Sequence, residues 1–248
     1  MRNKALDTEP RIGRFFNGIF TCRGPVNAVV RREEAKLERF RLKPIHLWGD
    51  YGDVLAGGYY HRNDAGLLLL HRAGPFLPPI SFPWGLEGSL VVVSDEFRRE
   101  IQEANFIGVQ FREVIKERIV PLDWDTWDRS AESPRHSPPN GEPEAYIWDK
   151  PHDPVAANKM PPAWEFLAPL FAVEYEEIPE LKHELVPPLR AILPRRVYPP
   201  WFRTRIEYGD QVLAAESRAW MQRSVGEWVV FEPLHWRYAE PDVGADSR

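Results

Sequence analysis

Apolar and polar positions in residues 91–114 follow three patterns in succession, and the first is that of a buried strand. Residues 91–93 are all valine, and a short β-branched run of this kind is typical of a strand buried on both faces. Ser94 follows and can accept a hydrogen bond from a free amide of a helical first turn, while Asp95 and Glu96 place negative charge at the helix N-terminus. The strand is therefore predicted to lead directly into a capped helix.

The next apolar residues mark the helix and the strand after it. Three of them recur at the spacing of one helical face: Phe97, Ile101 and Ala104. Asn105 is a predicted helix stop. Val109 and Phe111 then alternate with polar residues, as in a half-buried strand. The stretch predicts a strand, a helix and a second strand.

A weaker copy of this pattern lies near the C-terminus. Shifting residues 91–114 by 120 positions places them on residues 211–234, with six identical residues among 24. An apolar pair, a helical stretch and a final apolar strand follow in the same order, although chance similarity is an alternative explanation. The sequence therefore predicts two related β-α-β units, around 89–114 and 210–234, in an α+β fold of mixed sheets and short helices.

The domain organisation depends on a proline-rich segment, residues 129–162. It contains eight prolines, a density that disfavours a regular helix or central strand and predicts a long irregular excursion. Its apolar residues indicate that part of it packs. We expect a single α+β domain over residues 1–248, or alternatively two lobes, 1–128 and 163–248, joined by this excursion.

Composition and alternation predict further short elements. Helices are expected at residues 31–40, 163–171 and 187–193. Strands are expected at residues 45–48, between 57 and 70, and at 203–208.

Composition and charge exclude several classes of protein. A net charge of −5 and a pI near 5.9 argue against a nucleic-acid binder, because phosphate contacts need a basic field. No segment approaches the roughly 18 uninterrupted apolar residues of a membrane-spanning helix. Cys22 is the single cysteine, so no internal disulfide can form. We expect a cytoplasmic protein with no nucleic-acid and no membrane partner.

One short segment is strongly acidic. It carries five glutamates, opposed only by Lys182: Glu174, Glu176, Glu177, Glu180 and Glu184. Such a strip can face a basic partner, although a solvated surface is the simpler interpretation.

The sequence contains no signature of a known catalytic site. It lacks the Gly-x-Ser-x-Gly nucleophile elbow, the phosphate-binding loop and the dinucleotide glycine pattern. We therefore predict no catalytic residue, no bound metal and no cofactor.

One group of residues nevertheless supports an alternative function. His46, Asp50 and Asp53 bracket a predicted turn, and His61 lies downstream, followed by Asp64 and His71. Histidine and aspartate are legitimate ligands of divalent metals, but this spacing matches no metal signature. The alternative is a metal-dependent hydrolase or transferase that uses the His46/Asp50/Asp53/His61 region.

Residues 88–97 and 108–111 resemble a motif of cytoplasmic immunity proteins from bacterial polymorphic-toxin systems. In those families a strand ends at serine, an acidic pair opens a helix, and a glycine–apolar–x–phenylalanine strand follows. The region of residues 49–58 is similar to their upstream turn. One related group carries paired Cys-x-x-Cys-Gly zinc-binding sequences. This chain departs from that group with Cys22 alone, so a structural zinc is not carried over.

The resemblance implies a protein of interbacterial competition, whose partner is a cognate bacterial toxin. It would neutralise the toxin by occluding an active or substrate-binding surface, without chemistry of its own. The predicted contact surface combines the proline-rich excursion with the acidic strip and has eight residues: Tyr146, Trp148, Asp149, Glu174, Glu176, Glu177, Glu180 and Glu184. Neither the identity of the toxin nor the oligomeric state follows from the sequence.

Overall fold

The described part of the chain is an α+β structure of short strands and four helices. The structure is a computed structural model. It describes residues 38–44, 56–85, 90–121, 143–178, 189–194, 197–205 and 210–239.

The strands and helices have the following bounds. The first seven strands are β1 (Arg39–Pro44), β2 (Tyr59–Arg62), β3 (Leu68–Ala73), β4 (Ile80–Ser81), β5 (Val91–Ser94), β6 (Gln110–Glu113) and β7 (Ile115–Val120). The other strands are β8 (Ala163–Leu167), β9 (Leu170–Ala172), β10 (Glu174–Glu177), β11 (Leu189–Leu193), β12 (Trp201–Arg205), β13 (Gln211–Ala214), β14 (Val229–Pro233) and β15 (Trp236–Tyr238). The helices are α1 (Asp95–Glu103), α2 (Pro143–Trp148), α3 (Pro154–Lys159) and α4 (Ala215–Val225).

These strands form four sheets. The largest has the order β14-β1-β13-β12-β9, and a second has the order β4-β5-β8-β6. Two three-stranded sheets have the orders β2-β3-β7 and β10-β11-β15. Parallel and antiparallel pairs occur together in three of them, so the mixed sheets expected from the sequence are present.

The first predicted β-α-β unit consists of β5, α1 and β6. All four residues of β5 are buried, and the hydroxyl of Ser94 accepts a hydrogen bond from the amide of Phe97 at 3.2 Å, as expected of an N-cap. Phe97 and Ile101 form the buried stripe of the helix. The strands β5 and β6 do not pair with each other, because β8 lies between them and is antiparallel to both.

The connection from α1 to β6 requires two residues with left-handed backbone. Asn105 has φ of 54° and Gly108 has φ of 78°. A Cβ atom on Gly108 would also lie 2.7 Å from Cγ of Pro169. Glycine is therefore required at position 108 both by the left-handed backbone and by the close approach of Pro169.

The second unit, β13, α4 and β14, has the same topology. The strands β13 and β14 flank β1, which is antiparallel to both. Met221 lies 120 positions after Ile101 and is likewise buried. The position equivalent to the Ser94 cap is Ala214, and no side chain caps α4.

The largest hydrophobic core lies between the two units. The rings of Phe97 and Trp220 stack with centroids 5.6 Å apart, which joins α1 to α4. The rings of Phe166 and Trp201 lie 4.1 Å apart and join two sheets. The core thus draws residues from both of the predicted lobes, 1–128 and 163–248.

A buried carboxylate ties β8 to two other strands. Glu165 is fully buried, and its Oε1 accepts a hydrogen bond from Nη2 of Arg62 on β2 at 2.7 Å. Its Oε2 accepts from Nε of Arg112 on β6 at 2.8 Å. Two guanidinium groups therefore compensate the charge where two sheets meet.

The prediction of helices at residues 163–171 and 187–193 is wrong. Residues 163–167 form β8, which fills the gap between β5 and β6, and residues 189–193 form β11. Backbone pairing with strands distant in sequence overrides the local preference in both places.

The other predicted elements have mixed outcomes. The strands between 57 and 70 are present as β2 and β3, and β12 covers the start of the one predicted at 203–208. Of the helix predicted at 31–40, residues 39–40 belong to β1. Residues 31–37 and 45–48 lie outside the described part of the chain.

The excursion 129–162 contains regular structure where the sequence predicted none. The helices α2 and α3 begin at Pro143 and Pro154. Proline is tolerated in the first helical turn, where its missing amide would lack a partner. Ile147 and Met160 are buried, in line with the expectation that part of the segment packs. Within the described residues, no helix combines the length and apolar character needed to cross a membrane.

Candidate functional site

The sheet β2-β3-β7 presents two histidines on one face. Tyr59 pairs with His71 across the antiparallel ladder, and His61 lies two residues beyond Tyr59. Side chains alternate between faces along a strand, so all three point to the same side. The alternate residues Leu68 and Leu70 enter the core on the other side.

A β-bulge adds a carboxylate to this pair. Leu70 pairs with Lys116 and His71 with Arg118, so Glu117 is the extra residue on β7. Bulges redirect side chains and occur next to functional sites. Here the bulged residue extends its carboxylate to both histidines.

The ligand atoms of these three residues, called the His–His–Glu triad below, converge. Nε2 of His71 lies 2.8 Å from Nδ1 of His61 and 3.0 Å from Oε2 of Glu117. The same oxygen of Glu117 lies 3.4 Å from Nε2 of His61. One ligand atom from each residue can be chosen so that all lie within 4.8 Å of one another.

Burial differs sharply among the three residues. His71 is 3% exposed, whereas His61 and Glu117 are exposed. Desolvation lowers the pKa of His71 to about 4, and the neighbouring His61 and Arg118 act in the same direction against the Glu117 carboxylate. His71 is therefore neutral near physiological pH, which is the form of histidine that binds metals.

An aromatic patch adjoins the triad. The indole of Trp148 lies 4.8 Å from the His71 ring and 6.2 Å from the Tyr59 ring, and Tyr59 in turn lies 6.3 Å from Trp84. Trp84 and Trp148 are 41% and 46% exposed. We call Tyr59, Trp84 and Trp148 the aromatic patch.

Arg118 on β7 also holds Trp148 in place. Its guanidinium lies 5.7 Å from the centre of the indole and donates hydrogen bonds to the carbonyl oxygens of Trp148 at 3.0 Å and Lys150 at 3.1 Å. The end of α2 is thereby held against β7 by backbone and ring contacts.

The predicted acidic strip is partly neutralised. Glu176 pairs with Arg237 at 2.7 Å and with Arg190 at 3.4 Å, and the hydrogen bond from Arg237 is the main cause that lowers the pKa of Glu176. Glu174 and Glu177 are exposed. Charge is thus available to a partner at the two ends of β10 rather than at Glu176.

The remaining predicted residues have the following positions. Tyr146 lies in α2, but its side chain is outside the described part, and Asp149 is exposed just after this helix. Glu180 and Glu184 fall outside the described residues, as do His46, Asp50 and Asp53. Asp64 is exposed in the turn between β2 and β3 and is not a member of the triad.

Sequence reasoning named both histidines but did not connect them to Glu117. The available signal was the alternation in residues 59–62 and 67–72, which places His61 and His71 on one face of a hairpin. Glu117 gave no such signal, because its strand pairs in parallel with β3 and carries the bulge.

Comparison with protein-family models, curated proteins and solved structures found no match to this chain. The likeness to immunity proteins therefore rests on the motif residues themselves.

Proposed function

We propose that this protein is a cytoplasmic immunity protein that binds a cognate antibacterial toxin and covers its active or substrate-binding surface. The motif at residues 88–97 and 108–111 motivates the class. The observation that carries the proposal is the aromatic patch around Trp148, a residue already predicted to contact the partner.

The chemistry of the patch suits protein recognition. Tryptophan, tyrosine and arginine are enriched among the residues that dominate binding energy. Trp84 and Trp148 expose large ring surfaces, while contacts with His71 and Arg118 hold Trp148 in place. A preorganised ring loses little conformational freedom on binding, so most of its burial contributes to affinity. A full interface would bury about 1,600 Å².

Exposed carboxylates supply the second part of the predicted surface. Glu174 and Glu177 lie at the ends of β10 and can attract a basic toxin surface. Charges at the rim of an interface act mainly on the association rate and its salt dependence. Glu176 contributes less, because it is already paired with Arg190 and Arg237.

Co-expression with the toxin encoded beside this gene tests the proposal. The wild-type chain should restore growth and co-purify with the toxin as a 1:1 complex, and Glu177→Lys should weaken binding and reduce its salt sensitivity. Glu103→Lys is the matched control, because Glu103 is an exposed glutamate on α1. Failure of both rescue and complex formation would reject the function. Unchanged affinity in Glu177→Lys would reject only the acidic surface.

A second candidate function is a metal-dependent hydrolase or transferase. It is favoured by the His–His–Glu triad, in which His71 and Glu117 join His61 of the predicted region. The other residues of that region, His46, Asp50 and Asp53, lie outside the described residues. Turnover that disappears in His61→Ala and Glu117→Gln, measured on hydrolase substrates, would support this function over the proposed one.

A further inference from the structure

We propose that His61, His71 and Glu117 bind one divalent transition-metal ion, preferentially zinc. The ligands are Nε2 of His71, one ring nitrogen of His61 and Oε2 of Glu117. This inference depends on neither candidate function, because an ion held by β2, β3 and β7 can stabilise the sheet as well as support chemistry.

The spacing of the ligand atoms is that of a metal site. Zinc binds nitrogen and carboxylate oxygen at about 2.0–2.2 Å, and tetrahedral geometry then separates neighbouring ligand atoms by about 3.4 Å. In the triad, Nε2 of His71 lies 3.0 Å from Oε2 of Glu117. It lies 2.8 Å from Nδ1 of His61, whereas Oε2 of Glu117 lies 3.4 Å from the other nitrogen of that ring. With one ligand atom from each residue, all three lie within 4.8 Å of one another. Small side-chain rotations of the exposed His61 and Glu117 suffice to admit an ion among them.

The ligand set identifies the class of metal. Imidazole suits zinc and other late first-row transition metals, whereas magnesium and calcium prefer sites made of oxygen alone. Two histidines and one glutamate form a three-residue set that leaves a coordination position for water. Exposure of His61 and Glu117 provides access from solvent.

Arg118 is a positive charge next to the triad and would repel a bound cation. Its guanidinium is engaged by the carbonyl oxygens of Trp148 and Lys150 and by the Trp148 ring. The Glu117 carboxylate is the anionic ligand. His71 is held between strands and beneath Trp148, so one ligand is already ordered before the ion arrives.

A hydrogen-bonded triad without metal is the competing interpretation. In that case Nε2 of His71 shares one proton between His61 and Glu117, which lie at nearly equal distances. A metal ion would instead accept one lone pair from each of the three residues at the same time. The two interpretations differ in one measurable respect: only the metal site predicts stoichiometric metal binding that weakens when His61 or Glu117 is replaced.

The test uses the full purified chain after treatment with a chelator and dialysis. Co²⁺ is added as a spectroscopic probe and Zn²⁺ as its competitor. We expect about one Co²⁺ per chain with visible d–d absorption of a nitrogen- and oxygen-bound ion, displaced by one equivalent of Zn²⁺. Toxin is absent from this assay, so its outcome is separate from that of the rescue experiment.

Variants establish which residues bind the ion. Glu117→Gln and His61→Ala change exposed residues and should each lower Zn²⁺ affinity by at least about tenfold. His235→Ala, which removes another exposed histidine, should leave the affinity unchanged. Circular dichroism of the metal-free variants verifies that they are folded. Absence of stoichiometric Co²⁺ and Zn²⁺ binding to the wild-type chain would overturn the proposal, as would unchanged affinity in both folded triad variants.

Discussion

The ring of His71 lies 4.8 Å from the indole of Trp148, with 44° between the two planes. This contact joins α2, which carries two of the predicted partner residues, Tyr146 and Trp148, to the sheet that carries the triad. His71 is buried and Trp148 is exposed, so the histidine ring supports the inner side of the exposed indole. A partner that binds Trp148 would therefore contact a site whose shape depends on His71.

Replacement of Trp148 should weaken toxin binding strongly. The exposed indole offers the largest apolar side chain on α2, and loss of a central tryptophan costs about 2 kcal/mol or more of binding free energy. Isothermal titration calorimetry of Trp148→Ala against the toxin should show this loss. Val197→Ala, which truncates a residue that is 70% exposed elsewhere, should change the affinity little. Equal effects of the two substitutions would contradict a specific role for Trp148.

Glu165→Gln should destabilise the fold without touching the proposed interface. The substitution leaves two guanidinium groups around a neutral amide in a buried position, and breaking a buried ion pair in this way costs about 3–5 kcal/mol. Urea unfolding measures the change in the free energy of unfolding. Glu174→Gln, at an exposed site, should change it by less than about 0.5 kcal/mol. A Glu165→Gln variant as stable as the wild type would show that the ion pairs of Glu165 contribute nothing to the free energy of unfolding.

Substitutions at the equivalent positions 94 and 214 of the two β-α-β units should change the free energy of unfolding in opposite directions. Ser94→Ala removes the cap of α1 and should lower the free energy of unfolding by about 1 kcal/mol. Ala214→Ser introduces a hydroxyl where α4 has no side-chain cap and should raise it by about 0.5 kcal/mol. Urea unfolding of the two single variants is the test. Destabilisation by Ala214→Ser would mean that the second helix end cannot accept the capping geometry of the first.

The stabilisation that Asp95 provides to the folded state should be lost at acid pH. Hydrogen bonds and charge from Arg98 and Arg99, with Arg98 the larger influence, lower its pKa below the ordinary value of 3.8. Because the folded pKa is the lower one, the stabilisation is complete above the ordinary value and disappears as pH falls through the folded pKa. Asp95→Asn should thus be less stable than the wild type near about pH 7, with the difference shrinking below about pH 3. A difference that is constant over this range would contradict the assignment.

Sequence patterns predicted the parts of the fold that depend on local residues. The valine run, the Ser94 cap and the Asn105 stop lie within a few positions of one another, so they specify β5 and α1 directly. They could not identify β8 as the strand between β5 and β6. Its residues lie about 50–75 positions away from their partners, and such pairing depends on the folded core rather than on local preference.

The candidate site was predictable only in fragments for the same reason. Alternation placed His61 within the strands expected between residues 57 and 70, His71 was named only as a candidate metal ligand, and Trp148 was recognised as an apolar residue in the proline-rich segment. Glu117 reaches the histidines only through a parallel pairing and a bulge. A bulge shifts which face a side chain occupies, so the simple alternation of a strand cannot reveal it.

The proposed function is inhibition of a toxin by direct binding. The most direct measurement titrates the purified chain into a fixed amount of the purified toxin encoded beside it, while the toxin's own enzymatic activity is recorded. We predict that activity falls linearly and reaches zero at one chain per toxin molecule. Full toxin activity in the presence of excess folded protein would contradict this account.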